Sequence, residues 1–242
     1  MKGLSNNQIN RWRNASSRLL ARLWPQDCFV CGEPAGEVAV CAACKNDLPW
    51  LDTDFCPVCA LPTPGAQECG QCLRRPPHFD ATLAAFVYTH PVREMVLALK
   101  FGPVFAVRDV LVGGLLTALG ALRADCIVPM PIHKRRIAER GFNQSMELAR
   151  DLGRAVHLPV RAELVVRDLN TPHQTGLPIR QRRKNMRGAF RCVESIAGLH
   201  VLVIDDVITS GATLDELART LKLAGAARVT NLLVARTLRE KD

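Results

Sequence analysis

Eight of the ten cysteines lie between Cys28 and Cys72, in two copies of one frame. Cys28, Cys31, Cys41 and Cys44 recur as Cys56, Cys59, Cys69 and Cys72, each displaced by 28 residues, so both copies read C-x2-C-x9-C-x2-C. Two thiolates held two residues apart on a tight knuckle occupy two corners of a tetrahedron, and a second knuckle closes it with no open position. Four knuckles therefore suit two structural zinc ions. The simplest assignment puts the first four cysteines on one ion and the last four on the other; an interleaved pairing also satisfies the spacing. An iron–sulfur site fits a duplicated frame less well, and disulfides least. A segment this short, with few aliphatic or aromatic side chains, lacks a core of its own and needs the metal to fold. Chelation is accordingly expected to unfold residues 28–72 while the rest of the chain survives.

The remaining composition sets the compartment and the partners. No run of ~18 apolar residues interrupts the chain, which argues against a membrane span. Residues 1–24 are basic and carry Asn, Ser and Arg where a signal peptide needs an apolar stretch, so the chain is read as cytoplasmic. In that reducing setting clustered thiols bind metal rather than pair. Cys126 and Cys192 stand apart and read as small buried residues. The formal charge of +9 is concentrated in one region: His133–Arg191 holds 14 Lys and Arg against 5 Asp and Glu. The positive field there attracts phosphate-bearing ligands, small or polymeric.

Along the chain, Asn7–Trp24 reads as an amphipathic helix ended by Pro25. The basic, proline-rich Arg74-Arg75-Pro76-Pro77 reads as a linker. Beyond it strands and helices alternate. Strands are expected at Ala81–Tyr88, Cys126–Met130, Glu163–Arg167, His200–Asp205 and Arg228–Arg236. Helices are expected at Val92–Phe101, Phe105–Ala121, Asn143–Val156 and Thr213–Ala224, and a long polar loop at Asn170–Arg187. Such alternation predicts an α/β fold with a mainly parallel sheet flanked by helices, and the continuous apolar run Val201–Ile204 a central strand buried on both faces.

At the end of that strand lies the sharpest functional signal, Val201-Leu-Val-Ile-Asp-Asp-Val-Ile-Thr-Ser-Gly-Ala-Thr213. Two acids are followed by a short loop of hydroxyls and glycine, then a helix. Ligands of open α/β sheets bind at the carboxyl ends of strands. Thr209, Ser210, Gly211, Ala212 and Thr213 place amides and hydroxyls before a helix N-terminus, where hydrogen bonds and the helix dipole both favour a phosphate. Asp205 and Asp206 can accept from a vicinal diol. Thr213 and Glu216 also fit a T-x-x-E capping box, which helices use with no ligand nearby. Walker-type and G-x-G-x-x-G loops are absent from the sequence.

This segment resembles the signature with which type I phosphoribosyltransferases bind 5-phosphoribosyl-1-pyrophosphate (PRPP). The whole layout is similar to the ComF family of competence-associated proteins, in which a double zinc ribbon precedes such a domain. The likeness extends to Lys100, Ile127-Val-Pro-Met-Pro131, Arg140-Gly-Phe-Asn-Gln144, Thr171…Gln174…Leu177 and Arg182…Asn185…Phe190. Many members carry Thr-Thr-Gly where this chain has Thr209-Ser210-Gly211, and Ser keeps the hydroxyl. Residues 1–25 are read from their periodicity as an N-terminal helix with no clear counterpart in the family. The resemblance implies a double zinc ribbon over 26–77 and a phosphoribosyltransferase-like domain over 78–242. It implies that Asp205 and Asp206, the candidate catalytic pair, hold the ribose hydroxyls and that Thr209–Thr213 hold the 5-phosphate. Lys134, Arg135, Arg136 and Arg140 would meet pyrophosphate with magnesium, and Asn170–Arg187 would cover the site.

Two functions of different classes follow. One is transfer of the phosphoribosyl group to a nitrogen acceptor. The other is a DNA-uptake role, as ComF membership implies, with PRPP as ligand, the basic face holding single-stranded DNA, and other uptake proteins as partners. An aromatic content of 5% leaves little for base stacking. No Ser/His/Asp set or histidine metal motif points to hydrolysis.

Overall fold

The computed structural model describes residues 26–51, 54–101, 106–168 and 186–238. The helix expected at Asn7–Trp24 and nearly all of the loop expected at Asn170–Arg187 lie outside the described residues, as do the side chains of Lys134 and Arg140.

The first cysteine copy carries a two-stranded antiparallel ribbon, β1 (Gln26–Asp27) and β2 (Pro34–Gly36), and a short helix α1 (Ala42–Asn46); the second ends in α2 (Gly70–Arg74). Next come β3 (Ala81–Val87), α3 (Val92–Phe101), α4 (Ala106–Leu119), β4 (Cys126–Pro129), α5 (Lys134–Arg140) and α6 (Gln144–Val156). The chain continues through β5 (Val165–Arg167), β6 (Phe190–Cys192), β7 (His200–Ile208), α7 (Ala212–Leu223) and β8 (Arg228–Arg236).

Four strands form one sheet in the order β3-β8-β7-β4, every neighbouring pair parallel. Alternation on β7 explains its unbroken apolar run. Leu202 and Ile204 enter a core with α3, α4 and α6, whereas Val201 and Val203 enter a second core with Leu214 and Leu217 of α7. A central strand covered on both faces needs apolar residues at every position.

Three elements differ from the sequence expectation. β7 runs on to Ile208, because Val207 and Ile208 still pair with Ala235 and Arg236 of β8. The strand expected at Glu163–Arg167 begins as a 3-10 turn at Ala162–Leu164, and its remainder, β5, pairs antiparallel with β6 outside the main sheet. α5 was not expected; the ring of His133 caps it by accepting from the Arg135 amide at 3.2 Å, and Gly141, at φ 81°, ends it. Of the two isolated cysteines, Cys126 is buried as expected. Cys192 is only half-buried, its thiol donating to the Glu194 carbonyl at 3.2 Å.

The cysteine segment is stitched to the sheet edge. Leu51 donates to the Ala85 carbonyl at 2.9 Å, Val87 donates to the Pro49 carbonyl at 2.7 Å, and the Trp50 and Phe86 rings lie 4.6 Å apart. Cys28, Val40 and Leu48 share the core of Phe86 and α4, while Val58 packs on the core of α7. An exposed β3 edge would invite pairing with other chains, and the cysteine segment covers it. The segment is therefore not independent of the sheet, and loss of metal is expected to be felt by both.

Candidate functional site

The phosphate loop joins β7 to α7. Gly211 is the N-cap of α7 at φ 75°, a left-handed conformation that glycine adopts without strain, and no side chain caps the helix. The T-x-x-E capping box does not form. The helix starts at Ala212, which places Thr213 inside its first turn, and Glu216 turns away to accept from the Gly188 amide at 2.7 Å and to pair with Arg219. Among the described residues the amides of Thr209, Ser210, Gly211 and Thr213 donate to no protein acceptor; the Ala212 amide makes one long bond, 3.4 Å, to the Ser210 hydroxyl. A helix start left open in this way is a ready anion site.

The backbone behind the loop is fixed by a residue that sequence reasoning missed. Arg236, at the end of β8 and 3% exposed, donates from Nη1 to the carbonyls of Ile208, at 3.1 Å, and Thr209. Thr237 adds its amide, 3.1 Å, and hydroxyl, 3.2 Å, to the Ile208 carbonyl. With its carbonyls held on that side, the loop keeps its amides for the other. An arginine directly after the apolar run Leu232–Ala235 was the available signal.

Both acids sit within β7, separated from the loop by Val207 and Ile208. Asp205 accepts from the Ser145 hydroxyl at 2.9 Å and from the Asp206 amide at 2.9 Å. Asp206, buried, pairs with Lys100 at 2.8 Å and accepts from the Gln144 amide group at 3.1 Å. Gln144 and Ser145 open α6, whose N-cap Asn143 also donates to the Met130 carbonyl at the end of β4. Asn143, Gln144 and Ser145 thus bring the start of α6 onto the acid pair. Desolvation, then the charge of Asp206, pushes the Asp205 carboxyl up to about 7, against its hydrogen bonds and Lys100.

That shift has a testable sign. Asp205 keeps its proton to a higher pH folded than at its ordinary value of 3.8, so the stability it contributes is present below pH ~4 and is lost as pH rises through about 7. Asp205→Asn, which cannot ionise, is expected to be more stable than the parent by about 1–3 kcal/mol at pH 8 and no more stable at pH 4. Urea unfolding at the two pH values measures this, and equal stabilities at pH 8 would contradict it.

The predicted cations are less uniform. Arg135 is exposed and pairs with Glu139 of its own helix at 3.2 Å, while Arg136 is half-buried. Burial, and then the neighbouring charge of Arg136, lowers Arg167 to about 10, with Asp205 opposing the shift. Arg167 thus lies within electrostatic reach of the acid pair, its guanidinium 5.6 Å over the Phe190 ring. It was not singled out in the sequence, where it is one arginine among many.

In each cysteine copy the four sulfurs lie within 4.8 Å of one another, and the grouping is sequential: Cys28, Cys31, Cys41 and Cys44, then Cys56, Cys59, Cys69 and Cys72. The interleaved alternative is closed. Cys41 donates its amide to Cys28 Sγ and Cys69 donates to Cys56 Sγ, both at 3.3 Å. Burial alone would raise the Cys28 thiol, but amides of Cys31, Cys41 and Val30 bring it down to about 6. Hydrogen bonding among the sulfurs pushes Cys44 up to about 12, and burial pushes Cys59 up to about 11. Four sulfurs this close ionise together only around a cation, and the all-thiolate set is that of structural zinc.

Comparison with known proteins agrees with both parts. Residues 19–73 match the double zinc ribbon domain and residues 137–240 the phosphoribosyl transferase domain. The chain is 34% identical over 224 residues to the DNA utilization protein YhgH of Escherichia coli, covering 88% of this chain and 98% of that one. The chain belongs to the ComF family. Competence protein F of Haemophilus influenzae is 28% identical, over 84% of this chain and 86% of its own. Competence protein ComFC of Bacillus subtilis is also 28% identical, over 82% and 84%. Among the described residues of this ComF protein, no helix is long and apolar enough to cross a membrane.

Proposed function

We propose that this ComF protein binds PRPP at Asp205–Thr213 and acts, in the cytoplasm, in the use or uptake of DNA. The observation that carries the reading is the uncapped start of α7: open loop amides, backed by Arg236, stand beside two acids held by α3 and α6. The 5-phosphate takes the amides and hydroxyls of Thr209–Thr213, and the ribose diol donates to Asp205 and Asp206. Arg135, Arg136 and Arg140 supply positive charge for pyrophosphate, which magnesium accompanies. The names of the relatives, DNA utilization protein and competence protein, support a DNA-linked role. The cationic surplus of His133–Arg191 suits a phosphate backbone.

The match to phosphoribosyl transferases favours a second reading, in which the bound PRPP reacts. A nitrogen acceptor forms a bond to the anomeric carbon as the bond to pyrophosphate breaks, the electron pair leaving with pyrophosphate. Calorimetric titration with PRPP and magnesium, repeated with single-stranded DNA present, separates the possibilities. PRPP binding is expected to saturate, and DNA binding to weaken steeply with salt. Release of pyrophosphate in the presence of nucleobases or amines would establish the transferase. Absence of PRPP binding would remove both readings.

A further inference from the structure

The second cysteine cluster faces the phosphate loop across a shared cleft, and the first does not share that position. Cys59 and Cys72 line one narrow cleft together with Phe79, Ser210 and Gly211. The cleft offers only about 20 Å³, room for a single water, so it is a packing seam rather than a ligand pocket. Gly211 faces it from the loop side: a Cβ there would stand 3.8 Å from the Phe79 ring, an ordinary packing distance. Phe79 is 5% exposed and belongs to the same core as Ile208 and Leu214, on either side of the loop.

Two further ties run the same way. The Pro57 carbonyl, inside the Cys56–Cys59 knuckle, accepts from the Thr82 amide at 3.0 Å. Just after the cluster, the His78 amide and ring Nδ1 each lie 2.8 Å from Asp215 Oδ1, in the first turn of α7. The first cluster is anchored elsewhere: Cys28, Val40 and Leu48 join the core on the opposite face of the sheet, with Phe86 and α4.

We propose that the second cluster is the rear support of the phosphate loop, with Phe79 and His78 as positioning residues, so that metal loss there, and not at the first cluster, loosens Thr209–Thr213 and weakens phosphate binding. With the metal in place, the knuckle holds the seam closed and Phe79 fixes the left-handed turn at Gly211. Without it, Phe79 loses one wall and the loop samples conformations in which its amides no longer converge. The affinity arm rests on the phosphate-binding reading above; the loop-order arm does not.

The test uses the full-length zinc-loaded protein and three variants: Cys69→Ser at the second cluster, Cys41→Ser at the first, and Phe79→Ala, which leaves all eight thiols. Metal content, hydrogen exchange of the loop and of β8, and titration with ribose 5-phosphate are measured for each. Cys69→Ser is expected to lose one zinc, to exchange its loop amides about tenfold faster and to bind ribose 5-phosphate about tenfold more weakly. Phe79→Ala should keep both ions and show the same loop change with β8 exchange unaltered. Cys41→Ser should lose one zinc and leave the loop as it was. Unchanged loop exchange in Phe79→Ala, or equal acceleration in Cys41→Ser, would overturn the proposal. Should Cys69→Ser fail to fold, the Phe79→Ala and Cys41→Ser pair still decides it. If the parent binds no ribose 5-phosphate, the phosphate reading fails while the exchange data judge the support role on their own.

Discussion

Asp205→Asn combined with Asp206→Asn is expected to weaken PRPP binding by at least about 100-fold without unfolding the protein. Hydrogen bonds to a charged acceptor contribute about 1.5–3 kcal/mol each. Losing two of them to a ribose diol costs about 3–6 kcal/mol, or a factor between about 10² and 10⁴. The amide is nearly isosteric, and Ser145 keeps its acceptor. At Asp206 one oxygen accepts from the Val207 amide and the other from Gln144, and the amide oxygen serves only one of them, a loss of about 1–3 kcal/mol that a chain of this size tolerates. Lys100 loses its charged partner, but it is about 20% exposed and can turn toward water. Calorimetry gives the affinity and circular dichroism the fold. A folded double variant with undiminished affinity would remove the acid pair from the site.

Removal of both metal ions is expected to have the largest effect on stability. Each cluster crowds four sulfurs within 4.8 Å, an arrangement that persists only around a cation, and structural zinc binds such sets with apparent energies of roughly 10–16 kcal/mol in zinc-finger peptides. Because Cys28, Val40 and Leu48 share one core of the sheet and Val58 packs on the other, metal loss opens both. A net loss of about 5 kcal/mol lowers the melting temperature by about 10–20 °C in a chain of this size. Metal analysis should give two zinc ions per chain, and a chelator should lower the melting temperature of the sheet as well as unfold the cysteine segment. An unchanged transition after complete zinc removal would refute the shared core.

The contrast between what the sequence disclosed and what it hid follows from how far each signal reaches along the chain. The cysteine knuckles and the Val201–Ile204 run are local patterns whose chemistry is set by neighbours within about a dozen residues, and both formed as expected. The order strand, loop, helix after Val201 also held, although the acids lie inside the strand rather than at its end. The extension of β7 to Ile208 was hidden because its cause, pairing with Arg236, lies 28 residues away. The clasp of Lys100 and Gln144 on Asp206 joins three distant segments, which no spacing rule can anticipate. The T-x-x-E box failed for a local reason: Gly211 could take the left-handed cap itself, which freed Glu216 for the Gly188 amide. Arg236 and Arg167 gain significance only from burial, and sequence does not distinguish a buried arginine from a solvated one.

Backbone amide resonances of the loop offer the most direct test of the central claim. On titration with ribose 5-phosphate, the amides of Ser210, Gly211, Ala212 and Thr213 are predicted to show the largest shifts in the protein, saturating together with a single affinity. Shifts confined to α5, with the loop amides unmoved at saturation, would contradict it.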